Sequence, residues 1–103
     1  MITIGADIVR ISRIKRLSLR ERERIFQPTE INQPARTLAG IFAAKEAVKK
    51  ALGAKTGWLD IEIKKSKDGS PFIKLSDEKG LKEKSLTISH DGNYAIAVVV
   101  LIK

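Results

Sequence analysis

The residues that could do chemistry are concentrated in one alanine-rich stretch, FAAKEAVKKALG, at residues 42–53. Lys45 and Glu46 are adjacent in this stretch, and Lys49 and Lys50 follow them. A carboxylate is a suitable ligand for a hard cation such as Mg²⁺, and ammonium groups attract phosphate oxygens. The same residues could also form a solvated helix face, on which Glu46 pairs with Lys50 one turn later.

A second carboxylate, Asp7, lies near the end of the N-terminal segment MITIGADIVR. Taken alone, it is typical of an aspartate in a turn. Together with Glu46 it makes a candidate Mg²⁺ site, because proteins hold Mg²⁺ through one or two carboxylates, water and ligand phosphates. Lys45, Lys49 and Lys50 could then contact the phosphates. The sequence leaves open whether the two carboxylates meet in space.

The only histidine of the chain, His90, stands in the segment HDGN between two apolar runs. It is either a residue at a hairpin corner or a group that binds phosphate or transfers a proton. The chain has no cysteine, which excludes disulfides and zinc-thiolate sites. With no Cys and a single His, the sequence offers few groups for covalent catalysis.

Hydrophobic periodicity predicts the helices and strands that hold these side chains. A long helix is predicted from Pro34, which suits a first helical turn, to Leu52, with Gly53 as the stop. Its apolar face consists of Leu38, Ile41, Ala44, Val48, Ala51 and Leu52. Lys45 falls inside this apolar arc, so its ammonium must reach solvent or find an anion.

The remaining segments predict an α+β domain with mainly antiparallel strands. The strand MITIGADIV precedes a very basic helical segment, SRIKRLSLRERERIF, with a break between Leu17 and Leu19. The connector of residues 28–34 has a candidate helix cap at Thr29. WLDIEIKK and PFIKL predict a hairpin around KDGS, SDEKGLKEK predicts a loop, and SLTISH pairs with YAIAVVVLI around HDGN.

Length and charge narrow the class of protein. A chain of 103 residues favours a single domain, residues 1–103, and so small a chain gains from oligomerisation. Lys and Arg number 20 against 12 Asp and Glu, a net charge of +8, so the expected partners are acidic. The sequence shows neither a signal peptide nor a membrane-spanning run, which predicts a cytoplasmic protein.

Three stretches, taken in order, resemble the holo-acyl-carrier-protein synthases, which are small 4′-phosphopantetheinyl transferases. They are GADIVRISRI, LAGIFAAKEAVKKALG and SLTISHDGNYAIAVVV, and DIEIKKSKDGSPFIKL is similar to the central hairpin of the family. The resemblance covers nearly the whole chain. It implies the 4′-phosphopantetheinyl transferase fold, with a mainly antiparallel sheet packed on one long helix, and a homotrimer with active sites between subunits.

The activity that the resemblance implies is transfer of the 4′-phosphopantetheine arm of coenzyme A to a serine hydroxyl of an acidic apo-acyl carrier protein. Mg²⁺ is the implied cofactor, and adenosine 3′,5′-bisphosphate is released. By position, the implied Mg²⁺ ligands are Asp7 and Glu46, which with Lys50 are the implied catalytic residues. The residues implied to bind coenzyme A are Lys45, Lys49, Lys50 and His90. Those implied to meet the carrier protein are Arg10, Arg13, Arg20 and Arg24.

The sequence departs from the family pattern at several points. Ile41 stands where the family often has arginine, Thr3 replaces a strand glycine, and Lys49 replaces a small or polar residue. The connector before the long helix is shorter than usual, and the loop of residues 54–58, AKTGW, lacks a glycine-rich form. An alternative function is a basic nucleic-acid-binding module without catalysis. Another is a transferase of the same fold that modifies a polyketide or peptide carrier protein.

Overall fold

A three-stranded antiparallel sheet packed on one long helix forms the centre of the fold, beside a two-stranded hairpin. The computed structural model describes residues 1–53 and 55–103. The elements are, in chain order, β1 (Ile2–Arg10), α1 (Ile11–Lys15), α2 (Leu19–Ile25), α3 (Ala35–Leu52), a 3₁₀ helix (Trp58–Asp60), β2 (Ile61–Lys65), β3 (Pro71–Leu75), β4 (Glu83–Asp91) and β5 (Tyr94–Ile102). The predicted α+β class is confirmed.

The central sheet has the strand order β1-β5-β4. Strands β1 and β5 pair along their whole length, with Gly5 opposite Val99. Strands β4 and β5 form the hairpin that was predicted around HDGN, and Gly92 has the positive φ of 54° that a type II′ turn requires. Strand β4 begins at Glu83, so the end of the segment predicted as a loop belongs to the sheet.

Strand β1 lies directly against α3, and a glycine permits the close approach. A Cβ atom at Gly5 would lie only 1.9 Å from the carbonyl oxygen of Ala47. Successive strand residues point to opposite faces, so Gly5, Asp7 and Val9 all face the helix. The contact therefore carries Asp7 onto the surface of α3.

The hydrophobic core lies between the central sheet and α3. Within the predicted apolar face, Leu38, Ala44 and Val48 have no exposed surface. Ala39 and Ala43 are equally buried, although they lie outside the predicted arc. The helix is buried over more than one face because β1 and β5, the hairpin strand β2 and helix α1 pack around it.

Both ends of α3 are close to their predicted positions. The helix begins at Ala35, so Pro34 is the residue before the first turn rather than within it. It ends at Leu52, and Gly53 follows with a φ of 116°. The predicted stop is confirmed.

The basic segment is broken where the sequence predicts. Helix α2 starts after Ser18, whose Oγ accepts a hydrogen bond from the backbone N–H of Glu21 at 3.1 Å. The Glu21 carboxylate accepts in turn from the N–H of Ser18 at 2.9 Å, and this bond lowers the pKa of Glu21. This reciprocal capping box separates α1 from α2.

Two details of the prediction are wrong. Thr29 caps no helix, because it lies in a turn and its hydroxyl donates to Glu62 Oε2 at 2.5 Å. The segment WLDIEIKK is a strand only from Ile61, since Trp58–Asp60 forms a 3₁₀ helix. In the loop AKTGW, Ala54 lies outside the described residues. Among the helices that the structure describes, none is long and apolar enough to cross a membrane.

Candidate functional site

The contact between β1 and α3 brings Asp7 and Lys50 together. Lys50 Nζ lies 3.1 Å from Asp7 Oδ1 and donates to the carbonyl oxygen of Ala6 at 2.8 Å. The Lys50 side chain is 55% exposed and that of Asp7 is 20% exposed. An ion pair this open to water adds little to stability, and both groups remain accessible to a ligand.

Glu46 stands one helical turn before Lys50, which is about 6 Å along the helix axis. Its carboxylate is half-buried, and Oε1 accepts a hydrogen bond from the indole N–H of Trp58 at 2.8 Å. Asp7 and Glu46 together offer the hard oxygen ligands that Mg²⁺ prefers. Within residues 1–53 and 55–103, no three His, Cys, Asp or Glu side chains form a metal-binding group. Phosphate oxygens or water would have to complete the site.

Aromatic rings and cations line the surface beside Glu46. The ammonium of Lys49 lies 4.3 Å from the centre of the Trp58 ring, and the Phe42 ring lies 6.3 Å from that of Trp58. The Arg13 guanidinium is 5.3 Å from the centre of the Phe42 ring. Cations over aromatic faces at these distances are attracted to them. Trp58 therefore contacts both Lys49, through its ring, and Glu46, through its indole N–H.

Lys45 takes no part in this surface. Its side chain has no exposed area, and its Nζ lies 2.7 Å from Glu30 Oε1. The same ammonium donates to the carbonyl oxygens of Ile25, at 2.7 Å, and Trp58, at 3.1 Å. Burial lowers the pKa of Lys45, and the Glu30 carboxylate opposes that shift. The prediction that Lys45 binds coenzyme A conflicts with this geometry, because its three donors are already used.

Of the two outcomes predicted for Lys45 in the apolar arc, contact with solvent or with an anion, the structure shows the second, and the anion is Glu30. Its side chain is 1% exposed, and it accepts backbone hydrogen bonds from Gln27 at 2.7 Å and from Ile63 at 2.8 Å. The short connector before α3 is therefore anchored to both the helix and the hairpin. A buried pair with all its partners in place is tolerated in a protein core.

His90 lies at the opposite end of α3. Its Nε2 atom is 3.0 Å from the carbonyl oxygen of Arg36, and the ring packs on Gly40, where a Cβ would come within 3.1 Å of Nε2. Arg36 precedes Glu46 by ten residues, which is about 15 Å of helix. Within one chain, His90 is therefore separate from Asp7 and Glu46.

A cavity of about 470 Å³ opens beside His90, between α3 and the hairpin. Its size falls within the range of roughly 300–1,000 Å³ that is usual for small-molecule sites. Ile41 contributes to the lining in the position where the family often has arginine, and Lys64 and Lys65 bring positive charge. Sequence analysis assigned no role to these two lysines, because in an alternating strand they are indistinguishable from solvated charges.

The four arginines expected to meet a carrier protein are all exposed. They are Arg10, Arg13, Arg20 and Arg24, and we call them the arginine face. Arg20 and Arg24 are four residues apart on α2 and so share one side of that helix. Arg13 and Arg24 both border a cavity of about 250 Å³ that reaches Trp58. The arginine face thus adjoins the surface that carries Glu46.

Sequence analysis missed Trp58, whose indole bonds to Glu46 from a different element. Nothing in the spacing of these residues indicates the contact, because Glu46 and Trp58 lie in different elements. The Glu30 contact could have been considered from the sequence, since a lysine inside an apolar helix face must reach solvent or find an anion. The acidic residue of the connector between Pro28 and Pro34 was the one to examine.

Comparison with known proteins identifies the family. The family model of the 4′-phosphopantetheinyl transferase superfamily matches residues 3–99. The chain therefore belongs to the 4′-phosphopantetheinyl transferase superfamily.

Within that superfamily, its relatives are holo-acyl-carrier-protein synthases. The holo-[acyl-carrier-protein] synthase of Helicobacter pylori (strain ATCC 700392 / 26695) is 43% identical and aligns over 95% of each chain. That of Nautilia profundicola is 42% identical over 97% of this chain and 99% of its own length. The crystal structure of the Helicobacter pylori synthase in complex with coenzyme A matches with a TM-score of 0.86 and 40% identity, covering 96% of this chain and 99% of that one. The predicted fold and family are confirmed, and we do not retain the nucleic-acid-binding alternative.

Proposed function

We propose that this chain transfers the 4′-phosphopantetheine group of coenzyme A to a serine hydroxyl of an apo-acyl carrier protein. The reaction is Mg²⁺-dependent and cytoplasmic in this proposal. The serine oxygen attacks the phosphorus that carries the pantetheine arm, and the bond to the other phosphate breaks. Adenosine 3′,5′-bisphosphate leaves, and the serine proton passes to Glu46 or to water. Relatives that carry the synthase name support this reaction.

The observation that carries the proposal is the contact of Asp7 with Lys50 where β1 crosses α3, one helical turn after Glu46. Asp7 and Glu46 have the donor chemistry to hold Mg²⁺, which when bound would offset the negative charge of the pyrophosphate. Lys50 is exposed enough to turn from Asp7 to a phosphate oxygen. Its charge then stabilises the negative charge that develops on the leaving phosphate.

The nucleotide end of coenzyme A is proposed to occupy the cavity beside His90. Lys64 and Lys65 add positive charge to its lining, which also contains Glu62, and His90 borders the same cavity. Because this cavity lies about 15 Å of helix from Glu46 within one chain, we propose that a complete site uses two copies. The homotrimer implied by the family resemblance meets that requirement.

The test of the function is mass spectrometry of apo-acyl carrier protein incubated with this chain, coenzyme A and Mg²⁺. We expect the carrier protein to gain one phosphopantetheine group, and we expect EDTA to prevent the gain. The Asp7→Ala and Glu46→Ala variants should each react at least about 100-fold more slowly, since each removes a proposed ligand of the Mg²⁺ ion that would stabilise the transition state.

Asp77→Ala is the matched control, because Asp77 lies in an exposed loop outside the site. It should react at the wild-type rate. Near-normal rates in both site variants would contradict the assigned roles of Asp7 and Glu46. If carrier proteins from fatty-acid, polyketide and peptide synthesis all remain unmodified, the proposed function itself is contradicted.

A further inference from the structure

Trp58 is held in place from several directions. Its carbonyl oxygen accepts a hydrogen bond from the buried ammonium of Lys45 at 3.1 Å. Its ring has the Lys49 ammonium 4.3 Å from its centre and packs near Phe42. Backbone and ring are therefore both restrained. The indole N–H, which donates to Glu46 Oε1 at 2.8 Å, has one fixed direction.

The chemistry of this hydrogen bond suits a metal ligand. An indole N–H is a donor only, so it cannot itself coordinate a cation. An ionised carboxylate has about four lone-pair sites, and Trp58 occupies one of them. Oε2 and the second lone pair of Oε1 face other directions, where a cation could be bound. Without the hydrogen bond from Trp58, the Glu46 side chain could adopt several rotamers.

We infer that Trp58 is a positioning residue, whose indole N–H orients the Glu46 carboxylate to bind the divalent cation. The inference rests on the proposed function, in which Glu46 is a metal ligand. Hydrogen bonds from groups that lie outside a coordination sphere fix the ligands within it. Their removal typically lowers metal affinity or activity by about 10–100-fold.

The buried pair of Lys45 and Glu30 acts one step further away. Lys45, which is paired with Glu30, donates to the backbone carbonyl of Trp58 and restrains that residue. The Trp58 indole N–H in turn restrains the Glu46 carboxylate. The conflict between Lys45 and its expected role on coenzyme A is resolved in this way. Lys45 supports the site from within the core instead of contacting the ligand.

The test is the Trp58→Phe variant, which keeps an aromatic ring and removes the indole N–H. Titration of Mg²⁺ at saturating coenzyme A and carrier protein should give a half-saturating concentration about 10-fold above that of the wild type. At saturating Mg²⁺, the KM for coenzyme A should stay within about twofold of the wild-type value. A purely structural role would lower the thermal midpoint and the active fraction, but would leave the Mg²⁺ titration unchanged.

Direct metal binding provides a readout that does not depend on catalysis. The Kd of Mn²⁺ is measured by electron paramagnetic resonance with coenzyme A present, and should rise about 10-fold in Trp58→Phe. Glu46→Gln should weaken binding further, and Phe72→Leu, which changes an exposed ring on β3, should leave it unchanged. An unchanged Kd in Trp58→Phe, or a wild type that binds no Mn²⁺, would overturn the inference.

The hydrogen bond itself can be observed without any Trp58 variant. The chain has one tryptophan, so a ¹⁵N-labelled sample gives a single indole N–H signal. That signal should shift on Mg²⁺ titration and in Glu46→Gln. An indole signal that shifts neither on Mg²⁺ titration nor in Glu46→Gln would rule the inference out. If transfer to carrier protein fails while Mn²⁺ affinity still depends on Trp58, the proposed function is wrong and the positioning role stands.

Discussion

Two lysines of α3 show how the environment of a side chain decides its role. Lys45 and Lys50 are five residues apart in the same helix. Lys50 is 55% exposed beside Asp7, whereas Lys45 has no exposed surface and contacts Glu30. The exposed lysine is available to a ligand, whereas the buried lysine supports the fold and the position of Trp58 from within the core.

The Lys45→Met variant should therefore lose much more free energy of unfolding than a variant in which a surface lysine is replaced. It leaves the Glu30 carboxylate buried without its cation, which costs about 3–5 kcal/mol. Lys50→Met is the matched control on the same helix and should change the free energy of unfolding by no more than about 0.5 kcal/mol. Urea denaturation measures both values. Equal stability of the two variants would show that Lys45 is not held as described.

At the scale of elements, the crossing of β1 over α3 determines which chemical groups meet. Gly5 allows the two backbones to touch, and Asp7 follows two residues later on the same face of the strand. A larger residue at Gly5 would push β1 away from the helix. Asp7 would then move away from Lys50.

Gly5→Ala should destabilise the fold strongly, because its Cβ would lie 1.9 Å from the carbonyl oxygen of Ala47. Severe overpacking of this kind costs about 3 kcal/mol or more. Gly80→Ala is the control, since a Cβ at Gly80 meets nothing within 4 Å and only its φ of 77° is strained, which costs about 1–2 kcal/mol. Thermal unfolding monitored by circular dichroism compares them. A Gly5→Ala protein as stable as Gly80→Ala would contradict the close approach.

At the scale of the whole molecule, the outer face of the central sheet is unusually apolar for a surface. Ile2, Ile4 and Ile8 on β1 are between 60% and 70% exposed, and Ile96 on β5 is 40% exposed. A contiguous apolar patch of this kind marks an interaction surface. The patch gives the proposed homotrimer a physical basis.

Ile4→Lys should dissociate the assembly, because it places a charge in the proposed apolar interface. Leu19→Lys makes the same kind of change at a residue of α2 that is equally exposed, 66% in each case. Sedimentation velocity should give a trimer for the wild type and Leu19→Lys, and monomers for Ile4→Lys. A wild-type monomer that is active would contradict the two-copy site.

The arginine face should determine how fast an acidic carrier protein associates. Arg13→Glu is expected to lower kcat/KM for the carrier protein by a factor on the order of ten at low salt, because steering by charge is lost. Lys79→Glu, in the loop before β4, makes the same change in net charge elsewhere and should have little effect. Steady-state rates across a range of NaCl concentrations measure both. The wild-type advantage over Arg13→Glu should fade with salt, and equal rates for the two variants would contradict the assignment.

Local residue patterns were enough to predict the elements and the inventory of chemical groups. Hydrophobic periodicity and the residues typical of helix ends and turns predicted α3 with its stop at Gly53, the two hairpins and the break in the basic segment. These features depend on local residue preferences. Three ordered motifs indicated the family that the comparisons confirm. The net charge of +8 indicated acidic partners, because net charge follows from composition and does not depend on the fold.

Which of these groups come together depends on how the elements pack in three dimensions. The tertiary structure separated His90 from Glu46, took Lys45 out of the site by pairing it with Glu30, and brought Trp58 to the Glu46 carboxylate. These contacts join residues of different elements, and they depend on how the helix, sheet and hairpin pack. Side-chain periodicity describes one element at a time, so it shows which face is apolar but not which residue will meet it.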